Sequence, residues 1–189
     1  MYAYKIEKLA ELEKLSQHSL IDLFYGDESH VSSEGYVPYG WQFPNEKVSI
    51  YLEKGHKINI FGLISRQNQC YWAITQQNIN GQFVMGQLDE LSLKIKKETF
   101  VVLDNASVHH SKIFQENLLI WQQRGLFIFF LPTYSPHLNI DETMWRKLKA
   151  EWLIPEDYLQ KNRLFYAANR CMANIGTYLK INFSPFNVN

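Results

Sequence analysis

A chain of 189 residues, 46% hydrophobic and 15% aromatic, can bury one sizeable core and is too short for two full domains. Its 19 Lys plus Arg balance 19 Asp plus Glu, so no global charge marks a polyanionic or membrane partner, and any attraction to nucleic acid must come from local patches. Cys70 and Cys171, the two cysteines, form no CxxC pair, which fits the reduced thiols of a cytoplasmic protein better than a disulfide framework or a zinc site.

Residues 5–18 place Ile6, Leu9, Leu12 and Leu15 at helical spacing among Glu and Lys, which predicts a short amphipathic lead-in helix. The amino-terminal segment is charged throughout and no apolar run approaches the roughly 18 residues that cross a bilayer, so neither an export signal nor a membrane span is expected. "SLIDLFYGDES" reads as a strand ending on Asp27, followed by a loop rich in Gly, Pro and Ser. "HKINIFGLIS" and "CYWAITQQ" read as strands joined by the turn "RQNQ". "NGQFVMGQLDELSLKIKK" predicts a helix, "TFVVLD" a buried strand, "SKIFQENLLIWQQRG" a helix stopped by Gly125, "LFIFFLP" another buried strand, and "NIDETMWRKLKAEWL" a helix stopped near Pro155. The order βββαβαβα implies a three-stranded meander followed by crossovers long enough to force parallel pairing. The expected fold is therefore α/β, a mixed sheet with helices on both faces.

Ligands of open α/β sheets gather at the carboxyl ends of strands. Asp27 is expected to close the first strand and Asp104 the fourth, and on neighbouring strands their carboxylates would face each other. Glu142, in the first turn of the last helix, would point back over the same strand ends. An Asp after a strand is commonly a turn former, and a Glu in a first helical turn commonly complements the helix dipole. Together, in this order of elements, the three acids favour a metal site, since close like charges need a cation or a proton. An all-oxygen set without thiolates suits Mg²⁺ or Mn²⁺ rather than zinc.

"YGDES", "VVLDNASVHHSK" and "FFLPTYSPHLNIDETMWRKLK" resemble the three catalytic blocks of the Asp/Asp/Glu transposases of the mariner-like superfamily, in the bacterial insertion-sequence branch. The third block is the most specific, with its Leu-Pro-x-Tyr-Ser-Pro-x-Leu-Asn run and a Trp three residues after the acid. "GYVPYGWQFPNE", with Trp41, is similar to the loop after the first block. The resemblance covers about residues 20–155 and implies a ribonuclease H-like catalytic domain there, a five-stranded mixed sheet, with a lead-in helix at 1–19 and a helical extension at 156–189. It implies that Asp27, Asp104 and Glu142 are the catalytic acids and ligands of two ions, Mg²⁺ or Mn²⁺. The activity implied is cleavage and strand transfer of DNA in transposition. Asn105 and His109 fill family positions after Asp104 and are candidates either to orient it and touch the scissile phosphate or to cap the next helix. His110 reads as a loop residue, and Glu28 as pointing to the opposite side of the strand from Asp27. Tyr134, Ser135 and Pro136 read as shaping the turn before Glu142, and Trp145 as packing its helix on the sheet.

The sequence departs from the family where Ile140 and Asp141 replace Pro-Ile, setting a second acid beside Glu142. Consecutive helical residues point about 100° apart, so the two acids cannot fill one ligand position; Glu142 keeps the Trp spacing. Too few residues precede the first block for a helix-turn-helix reader of DNA ends. Arg146, Lys147 and Lys149 on the last helix are the candidate DNA contacts, with "KIKK" at 94–97 and Lys161, Arg163 and Arg170 as further basic positions or ordinary solvated faces. Two readings stay open: a metal-dependent enzyme acting on DNA, and a non-catalytic fragment that pairs with an intact transposase. The expected partners are DNA and either a second copy or a separate DNA-reading chain, with no membrane.

Overall fold

The computed structural model of the chain describes residues 2–33, 44–46, 55–104, 111–133 and 135–186. Asn105, His109, His110, Tyr134 and most of the loop with Trp41 lie outside them. Strands β1 (Asp22–Ser32), β2 (Lys57–Ile64), β3 (Cys70–Thr75), β4 (Thr99–Leu103) and β5 (Leu126–Phe130) form a five-stranded sheet in the order β3-β2-β1-β4-β5. The first three strands pair antiparallel, as a meander must, and β4 and β5 join parallel through helical crossovers.

The expected end of β1 is corrected. The strand does not stop at Asp27 but continues to Ser32, because its outer half pairs with β2 through Ser32↔Lys57 while its pairing with β4 ends at Gly26↔Leu103. The polar run Asp27–Ser29 imitates a strand end, yet Val31 beyond it is buried again.

Alternation along the strands builds two cores. One side carries Leu23, Tyr25, Ile60, Ile64 and Val102 and is covered by α1 (Tyr2–Gln17), α4 (Asp141–Lys147) and α5 (Lys161–Asn174). The other carries Phe24, Phe61, Leu63, Val101 and Leu103 beneath α2 (Gly81–Lys94) and α3 (Lys112–Gln123). Asn80 and Ser111 cap α2 and α3 by accepting from the backbone N–H three residues on. Trp121 meets Phe114 edge-on at 5.3 Å and donates its indole N–H to Asp89 on α2, which also receives Arg124 at 2.6 Å.

In α1, Ile6, Leu9 and Leu12 are buried as their spacing predicts, but Leu15 is exposed and Glu13 lies inside in its place. The last predicted helix is α4 followed directly by a turn of π-helix at Leu148–Trp152. Beyond the 3₁₀ turn Pro155–Leu159 the extension is helical only as far as Asn174, and the chain continues without helix to Phe186. No helix among the described residues is long and apolar enough to cross a membrane.

The contact that seats α4 on the sheet is made over a glycine. A Cβ on Gly62 would lie 2.7 Å from Cη2 of Trp145 and 2.8 Å from Cε of Met144. The missing side chain lets the helix approach, and an indole ring cannot swing aside as a flexible chain end can. Gly62→Ala is expected to cost about 1–3 kcal/mol through overpacking, measured by urea denaturation; an unchanged midpoint would mean that α4 shifts without resistance.

Candidate active site

Asp27 and Asp104 meet because β1 and β4 are parallel neighbours. Gly26↔Leu103 is their last paired position, so the two aspartates come next on strands that lie about 4.8 Å apart. Asp27 follows Leu23 and Tyr25 on the side covered by α4, and Asp104 follows Val102 to the same side. Glu28, the register partner of Phe61, belongs to the opposite face.

Burial is the main reason that the Asp27 carboxyl is pushed up to about 6; the negative charges of Glu28 and Asp104 push the same way. The backbone N–H of Glu28, donating to Oδ1 at 2.8 Å, works against them. The indole N–H of Trp145 also favours the charged form. Asp104 is exposed at the end of β4.

The first turn of α4 carries two acids with opposite surroundings. Asp141 is 0% exposed, and neither carboxylate oxygen has a hydrogen-bond partner among the described residues. Burial, reinforced by the charge of Asp27, holds its pKa well above the usual carboxylate range. Glu142 is exposed. The structure therefore brings Asp27 and Asp104 together and turns Asp141 inward, with Glu142 on the outer side of the same turn. Reasoning from the Trp spacing passed over Asp141, although a signal was present: 141, 144, 145 and 148 share one helical stripe, and Met144, Trp145 and Leu148 are all buried.

The segment leading into α4 is braced by α1, where Lys5 donates to the carbonyls of Phe130 and Leu131 at 2.8 and 3.3 Å. Of the basic candidates, Arg146 is exposed, and Lys147 is paired with Glu151 at 2.6 Å. Lys149 is half-buried, where burial lowers its pKa and the charge of Asp27 opposes that fall. Two lysines of "KIKK" already serve acids, Lys94 with Glu90 at 2.5 Å and Lys97 with Asp22 at 2.9 Å. Cys70 and Cys171 are free thiols.

No three His, Cys, Asp or Glu side chains among the described residues are gathered into a ready-made metal cage. The donor chemistry nevertheless fits a hard divalent cation. Mg²⁺ keeps several of its waters and takes one or two carboxylates together with substrate phosphates, and here Asp27 and Asp104 come next on neighbouring strands, while the buried Asp141 has two oxygens with no hydrogen-bond partner among the described residues.

A mixed sheet in this order, with helices on both faces, is the architecture of ribonuclease H-like transposase and integrase cores. The crystal structure of the catalytic domain of Mos1 mariner transposase is similar with a TM-score of 0.50 and 18% identity, over 94% of this chain and 93% of that one. The catalytic core domain of BIV integrase is similar at 0.53 and 11% identity, over 84% and 85%. A Mos1 transposase in a paired-end complex with the left transposon end is similar at 0.54 and 16% identity, over 92% of this chain and 57% of that one. At such identities the likeness is one of fold, and this chain spans 57% to 64% of the Mos1 chains in the transposon-end, strand-transfer and pre-cleavage complexes that it matches. No curated protein sequence matches the chain. Residues 22–164, well over half of it, match the family described as DDE superfamily endonuclease, and the chain belongs to that family.

Proposed function

We propose that this chain is the catalytic part of a transposase that cuts and joins DNA strands, with Asp27, Asp104 and Glu142 as its metal-binding acids. The observation that carries the reading is the placement of Asp27 and Asp104 at successive positions beyond the last β1–β4 pair, in a member of the DDE endonuclease family. Two divalent ions, Mg²⁺ or Mn²⁺, would activate an attacking oxygen and stabilise a leaving one. Mos1 transposase complexes have been solved with Mn and with Mg.

The chain's own residues supply the rest. Asp27 and Asp104 form the floor of the site, and Glu142 reaches it from the outer side of α4. The buried Trp145 closes the floor against water beneath Asp27. Arg146 on α4 and Lys149 on the π-helical turn that follows it hold the phosphodiester, while Lys147 stays engaged with Glu151. Asn105 and His109 stand next to Asp104 in sequence and would support it. DNA is the partner, held at its phosphates, and the chain pairs either with a second copy of itself or with a separate chain that reads DNA bases, in a cytoplasmic setting.

The test is nicking of supercoiled plasmid by the purified chain with Mn²⁺ across a salt series. Two phosphate contacts predict a log–log slope of about −2 in binding, so activity should fall steeply with salt and show no preference for an end sequence. Absence of metal-dependent nicking at low salt would overturn the catalytic reading.

A further inference from the structure

We propose that Asp141 helps to hold the divalent ion at Asp27, so that α4 brings a buried carboxylate to the metal in addition to Glu142. The inference rests on the metal-dependent reading above and adds to it a residue at a position where the family pattern has Ile.

Three observations carry it. Asp141 is wholly buried, yet both of its oxygens lack a hydrogen-bond partner among the described residues. A carboxylate kept inside for structural reasons is normally satisfied by donors. A donor of that kind exists on the same helical stripe, the buried indole N–H of Trp145, but among the described residues it makes no hydrogen bond to Asp141.

Helical phase supplies the second observation. Asp141 precedes Met144 and Trp145 by three and four residues, which sets it over the same strip of sheet. Those two side chains rest against Gly62, and Gly62 is the register partner of Asp27. Glu142 is about 100° further round the helix and exposed.

Donor chemistry is the third. Asp27, Asp104 and Asp141 are oxygen ligands only, which selects a hard cation. No three acids among the described residues are gathered closely enough to hold an ion directly, so not all of these carboxylates can be direct ligands, and any that reach the ion would do so through its water.

The test measures Mn²⁺ binding by calorimetry, and the Mn²⁺-dependent rise in Tm, for the full chain and for Asp141→Asn, Glu142→Gln and Asp27→Asn. Asp141→Asn keeps the shape of the side chain and is expected to fold, with a metal-free Tm no lower than that of the wild type. Its Mn²⁺ affinity should fall by about 10- to 100-fold, the range seen when groups supporting a metal site are removed, and the Mn²⁺-dependent rise in Tm should shrink with it. If Asp141→Asn does not fold, Asp141→Ile carries the same expectation, because it restores the family's residue. Wild-type Mn²⁺ affinity in the Asp141 variant, with loss in Asp27→Asn, would overturn this inference alone. Failure of the wild type to bind Mn²⁺ would overturn the metal-dependent reading and this inference with it.

Discussion

Asp104→Asn is expected to lower metal-dependent nicking by about a thousandfold or more, since a metal supplies several kcal/mol of transition-state stabilisation and each 1.36 kcal/mol is tenfold in rate. The amide keeps the size of the side chain, and Asp104 is exposed beyond the end of β4, so the fold should not change. Asp27→Asn should lose activity as completely, with an added signature. In the metal-free protein the Asp27 carboxyl is raised to about 6, which means that the fold disfavours its charged form. Stability from this group is then fully present below the unfolded carboxylate range, near pH 4, and is lost as pH rises through about 6. Above that, ionised Asp27 costs on the order of 2 kcal/mol after allowance for its partial exposure. Asp27→Asn carries no such cost, so without metal it should melt above the wild type at pH 7.5 and level with it near pH 4. A plasmid assay beside thermal melts at the two pH values checks both halves. An inactive variant that is also less stable at pH 7.5 would mean that Asp27 is seated by contacts rather than held against its charge.

The largest expected loss of stability lies away from the site. Glu13 on α1 accepts from the Tyr25 hydroxyl in a short hydrogen bond and from Nε of Arg66 at 2.7 Å. Its side chain is 4% exposed and that of Arg66 16%, so both charges sit largely out of water. Burial is the main reason that the Tyr25 hydroxyl is pushed well above its ordinary pKa, with Glu13 adding to the rise. Glu13→Ala leaves a largely buried guanidinium without its counter-charge and a buried hydroxyl without its acceptor, and is expected to cost about 3–5 kcal/mol, the range for breaking a buried pair from one side. Domains of this kind are stable by roughly 5–15 kcal/mol, so the change should be plain in urea denaturation. Replacing both partners, as Glu13→Met with Arg66→Met, should restore much of the loss, because the cost lies in the orphaned charge. A double variant as unstable as the single one would show that the ion pair itself stabilises the fold.

These two networks mark what a linear reading can reach. Strand and helix positions were legible, since burial on one or both faces writes its period directly into β2, β4 and α2. Parallel running of the later strands followed from crossover length, whereas the adjacency of Asp27 and Asp104 depends on the strand order, which places β4 beside β1. The true length of β1 was hidden because its outer half pairs on one side only and so tolerates Asp, Glu and Ser. Which acid of α4 turns inward depends on the phase of a seven-residue helix, and that phase is set by Gly62, some eighty residues earlier in the chain. Glu13 looked like one more charge on an amphipathic helix. Its role depends on Arg66, 53 residues on, which no local pattern announces.

The tight turn between β2 and β3 joins the two ends of the chain. Asn68, with φ +63°, donates to the carbonyl of Ile181 and accepts its backbone N–H, pinning the tail that follows α5. Gly176 allows this approach: at φ +86°, a Cβ there would lie 2.5 Å from the Asn68 carbonyl oxygen. Arg66, two residues before Asn68, grips the tail at Ser184 and α1 at Glu13 with the same guanidinium. The lead-in helix and the tail are thereby one cooperative unit for local opening, although more than a hundred residues separate them along the chain. A force that peels the tail from the turn also loosens the hold on Glu13, so mechanical load on one end is felt at the other without passing through the acids.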